Sequence, residues 1–593
     1  MRTERAKALM LMLGIVFILS AIPIAQIVIS VYGNWQGVPP PGVTVDQVYY
    51  LARINEIKDG YPFMGNPYVF EYRNAMAPAF FVPDWLSAIP LLLGLSLTVT
   101  AGFNMIFWAL LLCLISYFIF EQLGLKPKES LLASVLTYLQ VYWLVARPVS
   151  MQIVFPFFAL FILAYILWLR SPLNKRNILF LAISSAAPFY IYAYLWQITC
   201  TVLFLTAIFL IFKKSWKALL ALAISGATSI VLALPAIVYT IRQIFSPFYW
   251  ETMARISLTF TRIPTREFLN YSRWVVLAIV LGLIILFLSF RKKEDMYCCD
   301  TFTPFVITGT ALVVTAGSNI VFAKEMETAV HIGRFIIFWF SIFFLYFLVQ
   351  FWRRRGDVGQ LSLIKKIMIG TVISIALFGY LRNFYDQGVH FFTRIDKDVI
   401  VSAQAYAGPA EWLNKNVPSE QVIWTMSNSG IESYVPMLTR HYLLFSEWST
   451  LQLMPSAEIE ERYLIASYFK DLTLNDIERD FRIYSGTGAS IHQYKTHNRE
   501  VIVCKMLRLE KFGYSCGEME TDISFKGEGH FINLYDKYIK DIKPNIKEKL
   551  KKYGVSYILV DKEIDEFKIP ITDLQGLEMV YRDNRFVIYK INY

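Results

Sequence analysis

The sequence predicts a polytopic α-helical membrane protein that carries a soluble α/β domain at its C-terminal end. Of its 593 residues, 56% are hydrophobic and only 17% are charged, whereas a soluble domain averages about 25% charged residues. Uncharged apolar runs near the length that spans a bilayer, about 20 residues, recur as far as residue 381 and then stop. Beyond residue 381, predicted helices and strands alternate, which is typical of a small α/β domain.

Eleven apolar segments are predicted to be transmembrane helices. They are Leu9–Ser30, Phe103–Phe120, Leu131–Ala146, Ile153–Leu169, Ile178–Tyr194, Trp196–Phe212, Ala218–Thr240, Trp274–Leu288, Phe302–Ala316, Phe335–Phe351 and Ile367–Leu381. A further apolar segment, Ala79–Val99, is predicted to lie on the outer surface. It lies among Pro78, Pro83, Asp84 and Pro90, which favour a broken interfacial helix over a spanning one.

The distribution of Lys and Arg predicts the orientation of the chain. With the N-terminus inside, six short cytoplasmic segments hold 19 basic residues, and the longer loops on the opposite side hold 11. This asymmetry obeys the positive-inside rule. We therefore expect a plasma-membrane protein with a cytoplasmic N-terminus. Its transmembrane domain covers residues 1–381, including a first outer loop at 31–102, and an extracytoplasmic domain covers residues 382–593.

The charge distribution bears on the class of partner, and the cysteines bear on a disulfide in the tail. Residues 1–381 have a net charge of +14, while residues 382–593 have 27 basic and 30 acidic residues. Because the basic excess belongs to the membrane part, topology explains it and nucleic acid is excluded as a partner. Cys504 and Cys516 can form a disulfide if the tail lies outside, and the sequence leaves that pairing open.

The tail pattern predicts three helices and five strands. The helices are Ala403–Asn416, Ser429–Leu438 and Ile546–Tyr553, and the strands are Gln421–Thr425, His441–Phe445, Ser556–Asp561, Leu577–Tyr581 and Arg585–Ile591.

The first outer loop contains the most informative carboxylate. Tyr50, Ile54, Ile57 and Tyr61 recur at helical spacing, which predicts an interfacial helix with Asp46 near its N-terminal cap. Taken alone, Asp46 is interpreted as a helix cap.

The layout resembles the C-type glycosyltransferases (GT-C), membrane enzymes that use polyprenyl-phosphate sugars. They include protein O-mannosyltransferases, aminoarabinose transferases and the oligosaccharyltransferase catalytic subunit. The resemblance covers most of the chain in layout and few of its residues. It rests on Asp46 and Arg53 in the first outer loop, the segment Pro78–Pro90, the span ending at Glu121, the run His331–Phe335, and the C-terminal stretches Leu550–Asp561 and Arg585–Lys590.

The resemblance implies a chemical role for Asp46. A carboxylate at the membrane surface can take the proton from an acceptor hydroxyl as a general base. Phosphate then leaves, and a cation that neutralises it removes the need for protonation. The tail has no Trp-Trp-Asp motif, which the oligosaccharyltransferase subunit uses to recognise its acceptor. The resemblance therefore implies an inverting hexosyl or pentosyl transferase that acts on single sugars.

Two arginines are predicted to bind the donor phosphate. Arg334 precedes Phe335 at the outer mouth of an aromatic span, where a guanidinium can grip phosphate bidentately. Arg147, at an outer helix end before Pro148, can face the same cavity. For Arg334 the alternative is an anchor that snorkels to lipid headgroups.

Acidic residues of the later outer loops are candidates for a metal or acceptor site. Glu325, Glu327 and His331 crowd one loop, and with Asp46 they could hold a divalent cation, Mg²⁺ or Mn²⁺. The alternative is a solvated loop, and the lack of an acidic residue between Arg147 and Glu251 speaks against a metal. Glu251 itself matches the position of a functional Glu in oligosaccharyltransferases.

Aromatic residues near these loops are candidates for stacking on a sugar. They are Tyr49, Tyr192, Tyr194 and Trp196. For the last three, an interfacial aromatic belt is the alternative.

The predicted function is transfer of a sugar from a polyprenyl-phosphate donor to an extracytoplasmic acceptor, which is a glycan, a lipid or a protein. Membrane lipids are the other expected partners. A lipid or sugar flippase and a non-catalytic scaffold of the same layout are the alternatives. Against transport, the spans show neither pseudo-symmetric halves nor internal charges.

Overall fold

The computed structural model describes residues 2–39, 46–77, 80–290, 297–353, 362–393, 397–426 and 430–593. Up to residue 393 it is built of helices. They are α1 (Arg2–Ser30), α2 (Gln47–Lys58), α3 (Val82–Leu92), α4 (Leu97–Gln122), α5 (Pro127–Gln140), α6 (Tyr142–Val145), α7 (Ser150–Arg170), α8 (Lys175–Ala186), α9 (Pro188–Ile191), α10 (Ala193–Phe212), α11 (Trp216–Ile244), α12 (Tyr249–Ile256), α13 (Arg266–Phe290), α14 (Tyr297–Ala316), α15 (Ser318–Phe322), α16 (Thr328–Arg353) and α17 (Leu363–Thr393).

Within the described ranges, eight of these helices are long and apolar enough to cross a membrane: α1, α4, α7, α10, α11, α13, α16 and α17. The chain is thus a polytopic helical membrane protein, as predicted. The other three predicted spans are shorter or broken. Leu131–Ala146 is divided between α5 and α6, Ile178–Tyr194 between α8 and α9, and Phe302–Ala316 is a short apolar part of α14.

The membrane helices share one apolar core in which α7 and α16 are the most buried of the eight long helices. Aromatic side chains fill the space between these two helices, with Phe155 and Phe158 against Phe335 and Phe338 at ring-centroid distances of 4.9 to 5.9 Å. Such edge-on and tilted pairs add to the hydrophobic gain of burial. Because α16 is held this firmly, its outer end is a rigid support for side chains there.

The proline-containing segment after the first span is a short helix, as predicted. Helix α3 has 11 residues, far fewer than a bilayer span needs, and Leu93 to Ser96 separate it from α4. Pro78 and Ala79, where the predicted segment begins, lie outside the described residues.

The tail is an α/β domain with one mixed sheet, as predicted. Its strands are β1 (Val422–Thr425), β2 (Tyr442–Leu443), β3 (Val555–Asp561), β4 (Leu577–Arg582) and β5 (Phe586–Ile591), in the order β2-β1-β3-β5-β4. The first three are parallel, with Val422 opposite Tyr442 and Ile423 opposite Tyr557. Strand β5 runs antiparallel to β3 and to β4.

Helices cover the sheet of the tail. In chain order they are α18 (Lys397–Gln404), α19 (Ala407–Asn416), α20 (Ile431–Leu438), α21 (Ser456–Ala466), α22 (Leu474–Arg479), α23 (Phe481–Ser485), α24 (Thr487–Met506), α25 (Asp522–Lys526), α26 (Glu528–Lys537) and α27 (Ile546–Lys552). The predicted helix Ala403–Asn416 is two helices, α18 and α19, because the chain turns at Ala405 and Tyr406. Ser429, the predicted start of the next helix, lies outside the described residues.

The first outer loop shares a hydrophobic core with the tail. Buried residues of α2 and of the segment that follows it, such as Leu51, Ile54 and Tyr68, belong to the same cluster as Trp424 and Leu443 of the sheet. Leu443 also donates a backbone hydrogen bond to the carbonyl of Tyr68 at 2.7 Å. The outer body of the protein is therefore built from two distant stretches of the sequence. Helix α17 also runs past the predicted domain boundary at residue 381.

Two further features stabilise the outer body: hydrogen bonds from the membrane domain and a disulfide within the tail. The buried Arg255 of α12 donates to the carbonyls of Thr450, Gln452 and Met454 at 2.8 to 2.9 Å, which ties the membrane domain to the tail. Cys504 and Cys516 form a disulfide, which settles the pairing that the sequence left open.

Candidate active site

Asp46 stands at the N-cap position of α2, as predicted, but its carboxylate does not cap the helix. Its side chain accepts no hydrogen bond from the first turn. Instead, Oδ2 accepts a hydrogen bond from Nη2 of Arg147, and the two side chains form an ion pair. The side chain of Asp46 keeps 27% of its surface exposed. The carboxylate is therefore held by a cation and remains accessible to another molecule.

Arg147 lies in a strained connection between α6 and α7. Two residues later, Val149 has φ +60° and ψ −67°, a conformation that costs a β-branched residue free energy and that clusters at functional sites. Besides Asp46, Arg147 donates to the Tyr50 hydroxyl at 3.3 Å, and its guanidinium lies 5.4 Å from the centre of that ring. The turn thus directs the guanidinium at α2 instead of at solvent.

Arg334 brings a second positive charge to the same place. Burial and the charge of Arg334 both lower the pKa of Arg147, so the two cations lie within electrostatic range of each other. Within the described part of the chain, Nη1 of Arg334 and Nε of Arg147 are buried and have no hydrogen-bond partner. Unpaired buried N–H groups are costly and rare. Two guanidinium groups with such donors are an arrangement that an anion would satisfy.

Tyr192 and His331 connect this site to the loop before α16. Tyr192 lies in the break between α9 and α10, where the backbone is extended, and its hydroxyl is hydrogen-bonded to Nδ1 of His331. Nε2 of His331 lies 3.5 Å from Oε2 of Glu327, and its ring stacks on Tyr194 at 4.4 Å. Glu327 has a positive φ of +54°, a second strained position beside the site.

Burial and the neighbouring charges shift the pKa of the Tyr192 hydroxyl. Burial is the largest effect and raises the pKa of Tyr192 to about 12, although Arg334 and Arg147 oppose it. The hydroxyl therefore stays protonated at neutral pH and can donate or accept a hydrogen bond.

An apolar cavity of about 430 Å³ opens beside the ion pair. The outer end of α1, the start of α4 and the residues on either side of Arg147, namely Ala146 and Pro148, line it together with Gln47, which follows Asp46. Its walls are mostly apolar, with Ile24, Ile27, Val28, Val31 and Met105 among the lining residues. Such a cavity suits a hydrocarbon chain whose polar end reaches Arg147.

Helix α2 is fixed in place by a buried ion pair that the sequence analysis did not single out. Arg53 donates to Asp84 of α3 through Nε and Nη2, at 2.9 and 2.7 Å, and to the hydroxyl of Tyr49 at 2.8 Å. Two parallel N–H···O bonds give this pair a defined geometry. The sequence signal was the position of Arg53 seven residues, or two helical turns, after Asp46.

The structure brings seven of the predicted site residues together and sets others apart. Asp46, Arg147, Arg334, Tyr192 and His331 lie around one site, and Tyr194 and Glu327 contact His331. Tyr49 is buried among Tyr68, Tyr50 and Trp448, and Trp196 stacks on Phe189 at 5.5 Å.

The remaining predicted carboxylates cap helices. Glu251 accepts a hydrogen bond from the backbone N–H of Ser456 at 2.8 Å, at the start of α21. Glu325 interacts with the backbone N–H groups of Thr328 and Ala329 at the start of α16, and burial raises its pKa to about 7. Both positions place a carboxylate at the positive end of a helix dipole.

The described residues do not fit the predicted divalent cation. No group of three or more His, Cys, Asp or Glu in them is arranged to hold a metal ion. The carboxylate of Asp46 faces a guanidinium, and Glu327 faces His331.

Comparison with known proteins finds similarity among solved structures. No protein-family model matches the chain, and no curated protein matches it. Among solved structures, the chain is similar to ArnT from Cupriavidus metallidurans bound to undecaprenyl phosphate. That similarity has a TM-score of 0.42 and a sequence identity of 11%, and it covers 97% of this chain and 98% of the other.

Proposed function

We propose that the protein is a membrane glycosyltransferase that transfers a sugar from a polyprenyl-phosphate donor to an extracytoplasmic acceptor, with inversion at the anomeric carbon. One observation carries the proposal. The accessible carboxylate of Asp46 pairs with Arg147, and Arg147 lies within electrostatic range of Arg334. Among the described residues both arginines have an unpaired buried donor, and the chain neighbours of Asp46 and Arg147 line an apolar cavity. A hydrocarbon site, an anion site and a base, in that order, fit a lipid-linked phosphate sugar.

The donor is proposed to bind with its phosphate between the two arginines and its first isoprenoid units in the cavity. Arg is suited to phosphate because its planar N–H groups match phosphate oxygens in pairs. The volume of 430 Å³ is within the range of small-molecule sites. The sugar then lies on the far side of the phosphate, towards the outer body.

Asp46 is proposed as the general base. It takes the proton of the acceptor hydroxyl while the hydroxyl oxygen bonds to the anomeric carbon. The bond from that carbon to the phosphate oxygen breaks, and the phosphate leaves with its electron pair. The guanidinium groups neutralise the leaving phosphate. Because this is a single displacement, the configuration of the anomeric carbon inverts.

The ion pair between Asp46 and Arg147 gives the donor a part in activating the base. With Arg147 bound to it, one carboxylate oxygen is engaged and is not free to accept a proton from an acceptor hydroxyl. A donor phosphate competes for the same guanidinium and loosens that hold. We therefore expect Asp46 to become basic only when the donor is in place.

The orientation proposed from the basic residues fits this chemistry. The Cys504–Cys516 disulfide is the kind of bond that persists in an oxidising compartment, which supports an outer position of the tail. The site beneath the tail would then face outwards, where a lipid-linked sugar meets an extracytoplasmic acceptor.

Replacing Asp46 by Asn tests the proposal. The Asp46 side chain makes no capping hydrogen bond, and Asn keeps its size and an oxygen that can accept from Arg147, so folding should survive while the base is lost. Loss of a positioned general base typically costs about 10²- to 10⁴-fold in rate. The assay is transfer of radiolabelled sugar from polyprenyl phosphate to an acceptor extract, by purified protein in nanodiscs.

The matched control is Asp386→Asn, which removes an exposed carboxylate that lies 3.9 Å from an Arg four residues earlier on α17. This variant should keep the wild-type rate. An Asp46→Asn rate above about a tenth of wild type, short of the general-base range, would rule out the proposed role. A wild-type protein without transfer activity would overturn the function itself.

A further inference from the structure

The carboxyl ends of the three parallel strands of the tail meet beside the candidate active site. In open α/β sheets, ligands bind at this edge. Strand β1 ends there at Thr425, and Glu447 and Trp448 follow β2. Helix α20, which follows β1, carries Glu432 in its first turn.

Aromatic contacts connect this edge to the membrane domain. The ring of Trp448 lies 5.3 Å from that of Tyr49, and Tyr49 lies 5.3 Å from Tyr50, whose hydroxyl accepts from Arg147. Nε1 of Trp448 donates to Oγ of Ser433 on α20 at 3.2 Å. The rings of Tyr49 and Tyr50 therefore connect Trp448 at this edge to the guanidinium of Arg147, which pairs with Asp46.

Several polar groups at this edge lack the partners that burial requires. In the part of the chain that the structure describes, Oε2 of Glu432, the hydroxyl of Tyr68 and Oγ1 of Thr425 are buried and unpaired. Glu432 is only 4% exposed. Glu447 is exposed and Trp448 is half-buried, so the edge has an open side. Buried carboxylates are normally paired, and a ligand that donates hydrogen bonds would satisfy them.

The charges nearby indicate what kind of ligand fits. Tyr68 is within electrostatic range of both Glu432 and Glu447. Burial, then the charge of Glu447, raises the pKa of Glu432 to about 8, while Lys470 opposes the shift. Arg53, a cation in range of Tyr68, is bound to Asp84. A positively charged partner placed between the two carboxyl groups would oppose this rise in pKa and let Glu432 ionise, so a cation fits the site.

We infer that Glu432, Glu447 and Trp448 form the acceptor subsite and bind a sugar ring that carries a protonated amine. The inference rests on the proposed function, since it names the acceptor class of the same site. The ring stacks on the exposed side of Trp448, an amphipathic surface suited to carbohydrate. The ammonium group donates to the two carboxylates, and a hydroxyl of the ring is then presented towards Asp46.

A binding measurement without donor tests the subsite. Full-length protein in nanodiscs is titrated calorimetrically with the trimer of glucosamine and, separately, with the trimer of N-acetylglucosamine, which has the same rings without the charge. Wild type should bind the amine trimer at least about tenfold more tightly. Glu432→Gln and Glu447→Gln should each weaken that binding by about 10- to 100-fold, the usual loss for a hydrogen bond to a charged group.

Stability separates binding from a structural role. Because Glu432→Gln removes a buried carboxyl group without a partner, its thermal unfolding temperature should equal or exceed that of wild type, whereas a structural carboxylate would lower it on removal. The control Glu411→Gln changes an exposed carboxylate that pairs with Lys415, and should leave binding unchanged. If Glu432→Gln does not fold, the binding of the amine trimer by Glu447→Gln, at the exposed side, tests the subsite instead.

Equal binding of the two trimers, no binding of the amine trimer, or wild-type binding by both Gln variants would overturn the inference. Each of these results is independent of catalysis. Binding that depends on Glu432 without any sugar transfer would instead contradict only the proposed function. Transfer activity without amine-trimer binding would contradict only the acceptor subsite.

Discussion

At the scale of single residues, the chemistry of the site depends on which partner each charged group has. Asp46 is held by Arg147, and Arg147 in turn has one unpaired nitrogen, as Arg334 does. A donor phosphate would satisfy both nitrogens and weaken the hold on Asp46 at the same moment. Binding of the anion and readiness of the base are therefore coupled through one guanidinium group.

Arg334→Ala should raise the apparent KM for the polyprenyl-phosphate donor, because the unpaired Nη1 would be lost from the anion site. Loss of a hydrogen bond to a charged group predicts about a 10- to 100-fold effect. Arg334→Lys should restore only part of it, since an ammonium lacks the paired N–H groups. Steady-state kinetics with varied donor measure the change, and unchanged donor kinetics in the Ala variant would reduce Arg334 to an interfacial anchor.

Glu56→Gln should remove part of the pH dependence of stability. Burial is the main cause that raises the pKa of Glu56 from 4.5 to about 8, while its hydrogen bond from Tyr442 opposes the shift. The folded protein thus keeps a proton that the unfolded chain has lost, so the free energy of unfolding decreases as pH rises from about 4.5 to about 8.

Thermal unfolding at pH 5 and pH 8 measures this effect. Wild type should lose more stability between the two values than Glu56→Gln does, and the exposed Glu411→Gln should behave as wild type. An identical pH dependence in wild type and Glu56→Gln would show that Glu56 ionises normally in the folded protein.

At the scale of elements, the sequence predicted the long helices and the strands but not the breaks within the apolar helices. Uncharged runs predicted the long helices, and alternation of helix and strand predicted all five strands of the sheet. The breaks at Val141 and between Ile191 and Ala193 were not predicted, since an apolar run has the same composition whether or not the helix is continuous. One of those breaks carries Tyr192, so a residue of the site was assigned to a continuous span.

The contacts between distant elements could not be predicted from the sequence either. Asp46 and Arg147 are separated by 101 positions, and Glu432 and Tyr68 by far more, so no local pattern joins them. Asp46 and both arginines were nevertheless identified as site residues, because each lies at an outer helix end where charge is informative. Trp448 and Glu432 gave no such signal in a polar domain where acidic and aromatic residues are common.

Arg255→Ala should loosen the attachment of the tail to α12. The guanidinium donates to three carbonyls of the segment 450–454. Its removal takes these three hydrogen bonds away, and only the Gln452 carbonyl keeps other described donors, from Thr252 and Met454. Hydrogen bonds to charged groups are worth about 1.5 to 3 kcal/mol each, so we expect a clear loss of stability. Limited proteolysis in nanodiscs should cut the tail faster in this variant, whereas Arg242→Ala, at an exposed position on α11, should resist like wild type.

At the scale of the whole molecule, two hydrophobic cores meet at the site. One lies among the membrane helices, and the other joins the first outer loop to the tail. Arg147 and Arg334 are held by the first core, while α2, with Asp46 at its head, belongs to the second. The proposed base and the proposed anion site therefore lie on opposite sides of the junction.

Cysteine labelling should establish the orientation. In a background where Cys113, Cys200, Cys298 and Cys299 are replaced by Ser, Ser419→Cys in an exposed loop of the tail should react with an impermeant maleimide on intact cells. Ser215→Cys, between α10 and α11, should react only after permeabilisation. Labelling of Ser215→Cys alone on intact cells would reverse the proposed topology.

The core shared by the first outer loop and the tail has a consequence for any attempt to exchange parts between proteins of this architecture. A graft of residues 397–593 onto another helical domain would leave behind α2 and α3, and with them part of the hydrophobic core that the sheet belongs to. The transplantable unit is discontinuous, and it includes residues 46–96 together with the tail. A chimaera that exchanges the tail must therefore also exchange Asp46. Its proposed base then comes from the protein that supplies the tail, and its two arginines come from the protein that supplies the membrane helices.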